Sequence, residues 1–163
     1  NQTSKNILDY ENQDSFLFSI EAKKGNKVSK RDLSFTINNI NDPHFLYLSQ
    51  STISVLERPI QDSVLCNIGI IDDDISQLYR IDVLIDNSLT NKFKLVGPSG
   101  KDLGNSASIY KDSVLTLKTD NGTSKLDYES ATNNKYNLII RCTCDSTIVS
   151  EKQLALKCIS LKP

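Results

Sequence analysis

The sequence predicts an all-β fold, a sandwich of two packed β-sheets. Short stretches that alternate apolar with polar residues run through most of the chain, which is the period-2 pattern of half-buried strands. Turn-forming sequences separate these stretches, at Lys24-Gly25-Asn26, Gly97-Pro98-Ser99-Gly100 and Asp120-Asn121-Gly122. No segment carries an apolar stripe at helical spacing over more than about two turns. Together these observations favour a β-sandwich over a fold with long helices.

Six stretches are predicted as strands because their alternation is clear. In chain order they are Phe16 to Ala22, Leu33 to Ile37, Ile53 to Leu56, Val64 to Ile71, Tyr136 to Cys144 and Leu154 to Leu161. The stretch Leu78 to Leu95 begins with good alternation, but Asp86 to Asn91 is expected to be a loop. Residues at period 2 are expected to face the core, namely Ile53, Val55, Val64, Ile68, Leu138, Ile140, Leu154 and Leu156.

Charge and length restrict the class of protein. The 163 residues suffice for one domain plus a fragment of another. A net charge of -1 leaves no positive surface to follow a phosphate backbone, so a nucleic-acid partner is not expected. No apolar run approaches the roughly 20 residues of a membrane helix. The sequence is therefore expected to be a soluble fragment without membrane contact of its own, whose signal and anchor lie outside it.

An internal sequence repeat indicates how the chain is divided into domains. Leu8-Asp9-Tyr10-Glu11 recurs as Leu126-Asp127-Tyr128-Glu129, and each copy is followed by an aromatic residue that opens an alternating strand, Phe16 in the first and Tyr136 in the second. A second strand follows in both copies. The spacing of the two copies is about the length of one small sandwich domain. The domain that contains the first copy is truncated at its start.

The order of these motifs resembles the cadherin repeat family. The Leu-Asp-Tyr-Glu tetrapeptide resembles the family's Asp-Arg-Glu motif, Asn39-Ile40-Asn41-Asp42-Pro43 resembles its Asp-x-Asn-Asp linker, Glu57 stands where a first-strand glutamate is expected, and Asp72-Asp73-Asp74 stands where the family has Asp-x-Asp. The resemblance implies a Greek-key sandwich of about seven strands with immunoglobulin-like architecture. Residues 1–42 would be the end of one repeat and its linker, and residues 43–163 a complete repeat.

The same resemblance implies a calcium site at the junction of the two repeats. Calcium takes six to eight oxygen ligands, so several acids must converge. The implied ligands are Asp9, Glu11, Asn39, Asn41, Asp42, Asp72 and Asp74. Bound calcium would stiffen the hinge. Asn39 replaces an acid in the linker, and Lys24 and Cys144 stand where the family often has an acid, so fewer than three ions are expected.

At the far end the linker pattern fails, because Ser160-Leu161-Lys162-Pro163 replaces its acids. No calcium site is expected there for Glu57, Asp127 and Glu129. Instead, the ammonium group of Lys162 is expected to approach Asp127 or Glu129, or to remain solvated.

The resemblance also implies a function: an extracellular part of a cell-surface membrane protein in calcium-dependent adhesion, with other cadherin-like ectodomains as homophilic or heterophilic partners. Alternatively, the acidic motifs are solvated turns, and the chain is a calcium-independent spacer or an adhesin module of another family. An enzyme is not expected, because His44 is the only histidine and no nucleophile motif is visible.

The cysteines and sequons are compatible with the secretory route. Asn1-Gln2-Thr3 and Asn121-Gly122-Thr123 are potential glycosylation sites. The four cysteines could be buried thiols or form disulfides. If they are oxidised, Cys142 and Cys144 are too far apart along one strand face to bond each other, so Cys66 and Cys158 are the expected partners of this pair.

Overall fold

The computed structural model describes residues 8–57, 62–74, 77–120, 126–129, 134–144 and 148–160. The chain divides into two compact units, residues 1–42 and residues 43–163. The strands of the described part confirm the all-β prediction. The two sequons, at Asn1 and Asn121, and the predicted contact of Lys162 lie outside the described residues.

The first unit contains one antiparallel hairpin, made by β1 (Ser15–Lys24) and β2 (Lys27–Thr36). Gly25 lies in the connecting turn with a φ of 58°, a backbone conformation that glycine adopts without strain. The ring of Phe35 stacks on Phe16 at 5.0 Å and on Phe18 at 5.2 Å between centroids. Nearly every other side chain of the hairpin is exposed.

The second unit is the β-sandwich. Its strands are β3 (Phe45–Leu48), β4 (Thr52–Leu56), β5 (Val64–Ile71), β6 (Leu78–Ile85), β7 (Ser88–Leu89), β8 (Phe93–Val96), β9 (Ser106–Tyr110), β10 (Leu115–Thr119), β11 (Lys135–Cys144) and β12 (Ile148–Ile159). One sheet has the order β3-β5-β10-β8, and the other has the order β4-β12-β11-β6-β7 with β9 also paired to β6. Neighbours distant in sequence are typical of Greek-key sandwiches.

The core lies between the two sheets and is one cluster of apolar side chains. Of the predicted core residues, Val55, Ile68, Leu138, Ile140, Leu154 and Leu156 are buried, and Ile53 is partly buried against them. Tyr79 and Phe93, which were not among the predicted core residues, are the largest fully buried side chains in the described part of the chain.

The prediction that Val64 faces the core is wrong. Its side chain is 63% exposed, whereas Leu65 and Cys66 are both buried. A β-bulge explains the difference, because Leu117 pairs with Cys66 while the next residue, Lys118, pairs with Val64. The extra residue reverses the alternation on its N-terminal side, so Val64 points to solvent.

Sequence alternation predicted β4, which has five residues, but missed four other short strands. β3, β8, β9 and β10 have four or five residues each, so the period-2 signal is weak, and β8 is buried throughout and does not alternate. The predicted loop after Ile85 is a tight hairpin, because Asp86 and Asn87 take positive φ values of 51° and 61°. The chain then pairs back onto β6 through β7.

The two hairpins that follow the repeated tetrapeptide have the same register. Phe16 pairs with Phe35 in the first unit, as Tyr136 pairs with Leu156 in the second. Two residues further on, Phe18 pairs with Leu33, as Leu138 pairs with Leu154. Phe18 is 48% exposed, whereas Leu138 is 0% exposed. The same hairpin is thus open on one face in the first unit and covered by a second sheet in the second.

The predicted disulfides are absent, since all four cysteines are free and buried. Cys158 was expected to lie next to Cys142 or Cys144, but it does not, because β11 and β12 are antiparallel. Cys142 pairs with Ser150, which lies on β12 eight residues before Cys158. At about 3.3 Å per residue the two thiols lie at opposite ends of the hairpin, roughly 25 Å apart. Cys66 lies in the other sheet, on β5.

We expect the four thiols to resist alkylation in the folded protein. Burial raises the pKa of Cys66 to about 11 and that of Cys142 to about 12, so little reactive thiolate exists near pH 8. Mass spectrometry after iodoacetamide treatment without reductant should show no addition to the native chain and four additions in guanidinium. Fewer than four additions in guanidinium would indicate disulfides.

Candidate metal-binding acids

The predicted calcium ligands divide between the two units. Asp9, Glu11, Asn39, Asn41 and Asp42 belong to residues 1–42, and Asp72 and Asp74 belong to residues 43–163. Each unit therefore contains part of the predicted ligand set. The local geometry of each set decides whether its residues suit a hard cation.

The first Leu-Asp-Tyr-Glu motif forms a turn just before β1. The carboxylate of Asp9 accepts the N–H of Asn12 at 3.2 Å, and its backbone carbonyl accepts the N–H of Gln13 at 2.9 Å. The turn leaves Glu11 half-buried. Its Oε1 atom is buried and accepts no hydrogen bond within the described part of the chain. A buried carboxylate oxygen without a partner is costly, and a cation would supply what it lacks.

The linker residues lie at the end of the first unit. Asn39 and Asn41 are exposed, and Asp42 is half-buried. The amide nitrogen of Asn41 donates to the backbone carbonyl of Asp42 at 3.1 Å. This contact uses the nitrogen of the Asn41 amide, and oxygen is the amide atom that calcium binds.

The acidic loop, residues 72–74, follows β5 in the second unit. The backbone N–H of Asp74 donates to Asp72 Oδ1 at 2.9 Å, and the hydroxyl of Tyr79 donates to Asp72 Oδ2 at 2.5 Å. Asp72 is half-buried, Asp73 is exposed and Asp74 is 1% exposed. Burial of the Tyr79 ring, and then its hydrogen bond to Asp72, raise the pKa of the phenol. Tyr79 thus fixes the loop to the core.

His44 packs against Tyr79, the residue that holds this loop. Its ring is buried and meets Tyr79 edge-on, with 5.4 Å between centroids. Its Nε2 atom lies 3.4 Å from the carbonyl oxygen of Cys142. Its Nδ1 atom is buried, and none of the described residues forms a hydrogen bond with it. Beside it, the thiol of Cys144 donates to Gln77 at 2.8 Å. Neither His44 nor Gln77 carried a signal in the sequence beyond being polar.

A second acidic group lies within the second unit alone. The carboxylates of Glu57, Asp127 and Glu129 each offer an oxygen within 4.8 Å of the others, and Glu57 is the buried member. Burial, followed by the negative charge of Glu57, raises the pKa of the nearby Cys158 thiol. The sequence predicts no calcium here, and that remains a prediction.

The second tetrapeptide turn is held from the core. The hydroxyl of Tyr136 donates to the backbone carbonyl of Asp127 at 2.8 Å and accepts the N–H of the same residue at 3.1 Å. The carboxylate of Asp127 then accepts the N–H of Glu129 at 3.0 Å. Both copies of the tetrapeptide therefore form a turn in which the aspartate carboxylate accepts a backbone N–H shortly after it. Phe16 occupies the place of Tyr136 in the first copy and has no hydroxyl for this purpose.

Solved structures share this arrangement of strands. Protocadherin gammaB7 EC3-6, solved as a cis-dimer, superposes on 94% of the chain with a TM-score of 0.67 at 19% identity. Human protocadherin-24 EC1-2 superposes on 96% with a TM-score of 0.57 at 15% identity, and the match covers 70% of that chain. The chain has the cadherin-repeat fold.

The likeness is one of structure rather than of sequence. The human desmocollin-1 ectodomain shares the cadherin-repeat fold over 93% of the chain with a TM-score of 0.55 and 16% identity, and the match covers 29% of that ectodomain. The chain spans about a third of the length of protocadherin gammaB7 EC3-6, 34%. No family model and no curated protein matches the sequence. Within the described residues, no helix has the length and apolar character needed to cross a bilayer.

Proposed function

We propose that the chain is part of the extracellular region of a cell-surface adhesion protein, and that calcium rigidifies the junction between its tandem repeats. The ligands are Asp9, Glu11, Asn39, Asn41, Asp42, Asp72 and Asp74. The protein acts by binding other cadherin-like ectodomains and catalyses no reaction. The cadherin-repeat fold supports this proposal, because its structural neighbours are ectodomain fragments of protocadherins and a desmocollin.

The observation that carries the calcium proposal is the carboxylate of Glu11. Its Oε1 atom is buried and has no hydrogen-bond partner among the residues that the structure describes. The residue belongs to the tetrapeptide that resembles a family calcium motif. Hard oxygen donors of this kind select calcium over softer metals. The buried carboxylate of Asp74 supplies a matching donor in the second unit.

A second candidate is a calcium-independent spacer or an adhesin module of another family. Asn39 favours it, because an amide in the place of an acid removes one negative charge from the ligand set. The absence of a matching family model also leaves more than one family possible for the fold. Under this candidate the acids are a solvated surface.

A calcium titration followed by thermal melting decides between the two. Extracellular calcium modules have dissociation constants of about 10⁻⁴ to 10⁻³ M. A ligand that binds only the folded state at about ten times its Kd stabilises it by roughly 1.4 kcal/mol, so the melting temperature should rise by about 4 °C at millimolar calcium. Magnesium at the same concentration is the control. A melting curve that is the same in calcium and in chelator would support the spacer.

A further inference from the structure

The acidic loop of residues 72–74 already has a cation beside it. The ammonium group of Lys111 lies 3.3 Å from the backbone carbonyl oxygen of Asp72 and 3.3 Å from that of Asp73, and it donates a hydrogen bond to each. Lys111 is distant in sequence and half-buried, so the fold brings it to the loop. The ammonium is a point charge with three donors, and two of them are used here.

The position of Lys111 is set by a tight turn at the end of β9. Tyr110, the last residue of β9, pairs with Leu78 of β6, and Ile109 pairs with Tyr79. Asp112 then takes a φ of 65°, and the N–H of Ser113 donates to the carbonyl of Tyr110 at 3.3 Å. Since Tyr79 also binds the carboxylate of Asp72, the lysine and the acidic loop are anchored to the same strand.

This placement has two consequences for a loop that contains three consecutive acids. The ammonium offsets part of their mutual repulsion, and it satisfies two carbonyls that would otherwise require water. A fixed positive charge beside the loop also repels an arriving divalent ion.

We propose that Lys111 is a built-in counter-cation of the loop of residues 72–74, which holds this loop folded without calcium and weakens calcium binding to it. The second half of this proposal rests on the proposed function, and the first half does not. Lys111 itself follows β9 and belongs to none of the acidic motifs.

The test compares Lys111→Met, which keeps the length of the stem but removes the charge, with Lys111→Arg, which keeps the charge. Lys101→Met is the matched control, because Lys101 is an exposed lysine in a turn of the same unit. The full chain is melted in EDTA, the exchange of backbone amides in residues 71–79 is followed in EDTA, and calcium is titrated by calorimetry.

In EDTA, Lys111→Met should lower the melting temperature by about 3 °C and speed exchange in the loop, because two hydrogen bonds to a charged donor are lost. Its calcium Kd should fall about tenfold, the size of effect expected from removing one nearby positive charge in a partly hydrated site. Lys111→Arg and Lys101→Met should behave as the wild type.

The possible outcomes separate this inference from the proposed function. If Lys111→Met matches Lys101→Met in EDTA, the inference is overturned, whatever the calcium titration shows. If the wild type binds calcium and Lys111→Met binds it no more tightly, the inference is overturned while the calcium proposal stands. If no variant binds calcium but Lys111→Met alone loosens the loop in EDTA, the calcium proposal fails. Lys111 would then be the permanent cation of this loop.

Discussion

Replacing Asp74 by alanine should weaken calcium binding by about 100-fold and abolish the calcium-induced rise in melting temperature. Asp74 is one of the two acidic ligands proposed in the second unit. Its loss removes one contact to the ion and half of the negative charge that this unit supplies to it. Asp74 is the buried acid of its loop, so water replaces its carboxylate poorly. The measurement is the shift between chelator and millimolar calcium, which is independent of any change in the stability of the apo protein.

Asp73→Ala is the control for this prediction. Asp73 has the same charge and lies in the same loop, but its side chain is exposed. Its substitution keeps the backbone carbonyl that Lys111 contacts. Asp42→Ala, in the linker, should behave like Asp74→Ala because both residues belong to the proposed ligand set. Equal effects of Asp73→Ala and Asp74→Ala would mean that only the net charge matters and that no defined site exists.

Replacing Leu138 by alanine should destabilise the sandwich by about 3 to 4 kcal/mol. Leu138 is fully buried in the core between the sheets, and its truncation removes apolar contacts and leaves a cavity. Urea unfolding followed by circular dichroism measures the change. A loss below about 1 kcal/mol would show that the neighbouring side chains close the gap, which contradicts the packing described here.

Phe18→Ala is the matched substitution in the other hairpin. Phe18 pairs with Leu33 as Leu138 pairs with Leu154, but its ring is 48% exposed. The free energy of unfolding obtained from the main urea transition should therefore fall by less than about 1 kcal/mol. A loss as large as that of Leu138→Ala would show that the open face of the first hairpin is covered in solution.

Alternation predicted where long strands lie, but not all of their bounds. β2 and β12 begin at Lys27 and Ile148, whereas they were predicted only from Leu33 and Leu154 onward. β11 and β5 were predicted within a residue of their observed bounds, Lys135–Cys144 and Val64–Ile71. It is harder to predict which side chains of a strand face the core, as Val64 shows. One bulged residue reverses the alternation, and it has no sequence signature of its own. The cysteine pairing failed for a related reason: it depends on the register of the β11–β12 hairpin, which is set by the turn.

The acidic motifs could be found in the sequence because runs of Asp and Glu at defined spacing are conspicuous. The side chains that hold these motifs in place could not be found from the sequence. Tyr79 holds the acidic loop from seven residues away, and Tyr136 holds the second tetrapeptide turn from nine residues away. Lys111 reaches the acidic loop from a turn 39 residues further along the chain. Contacts of this kind depend on how the two sheets and their turns are arranged in space, which local patterns do not encode.

The parallel pairing of β4 with β12 has a mechanical consequence. The first strand of that sheet lies beside the last, from Thr52 opposite Ala155 to Leu56 opposite Ile159, and the ladder is closed at its ends by hydrogen bonds from Ala155 to Ser51 at 3.0 Å and from Glu57 to Ile159 at 2.8 Å. Tension that pulls Thr52 and Ile159 apart pulls these strands in opposite directions along their length. The hydrogen bonds are then loaded in shear and must break together, whereas peeling would break them one at a time. The unit is thereby built to bear a pulling force along the chain.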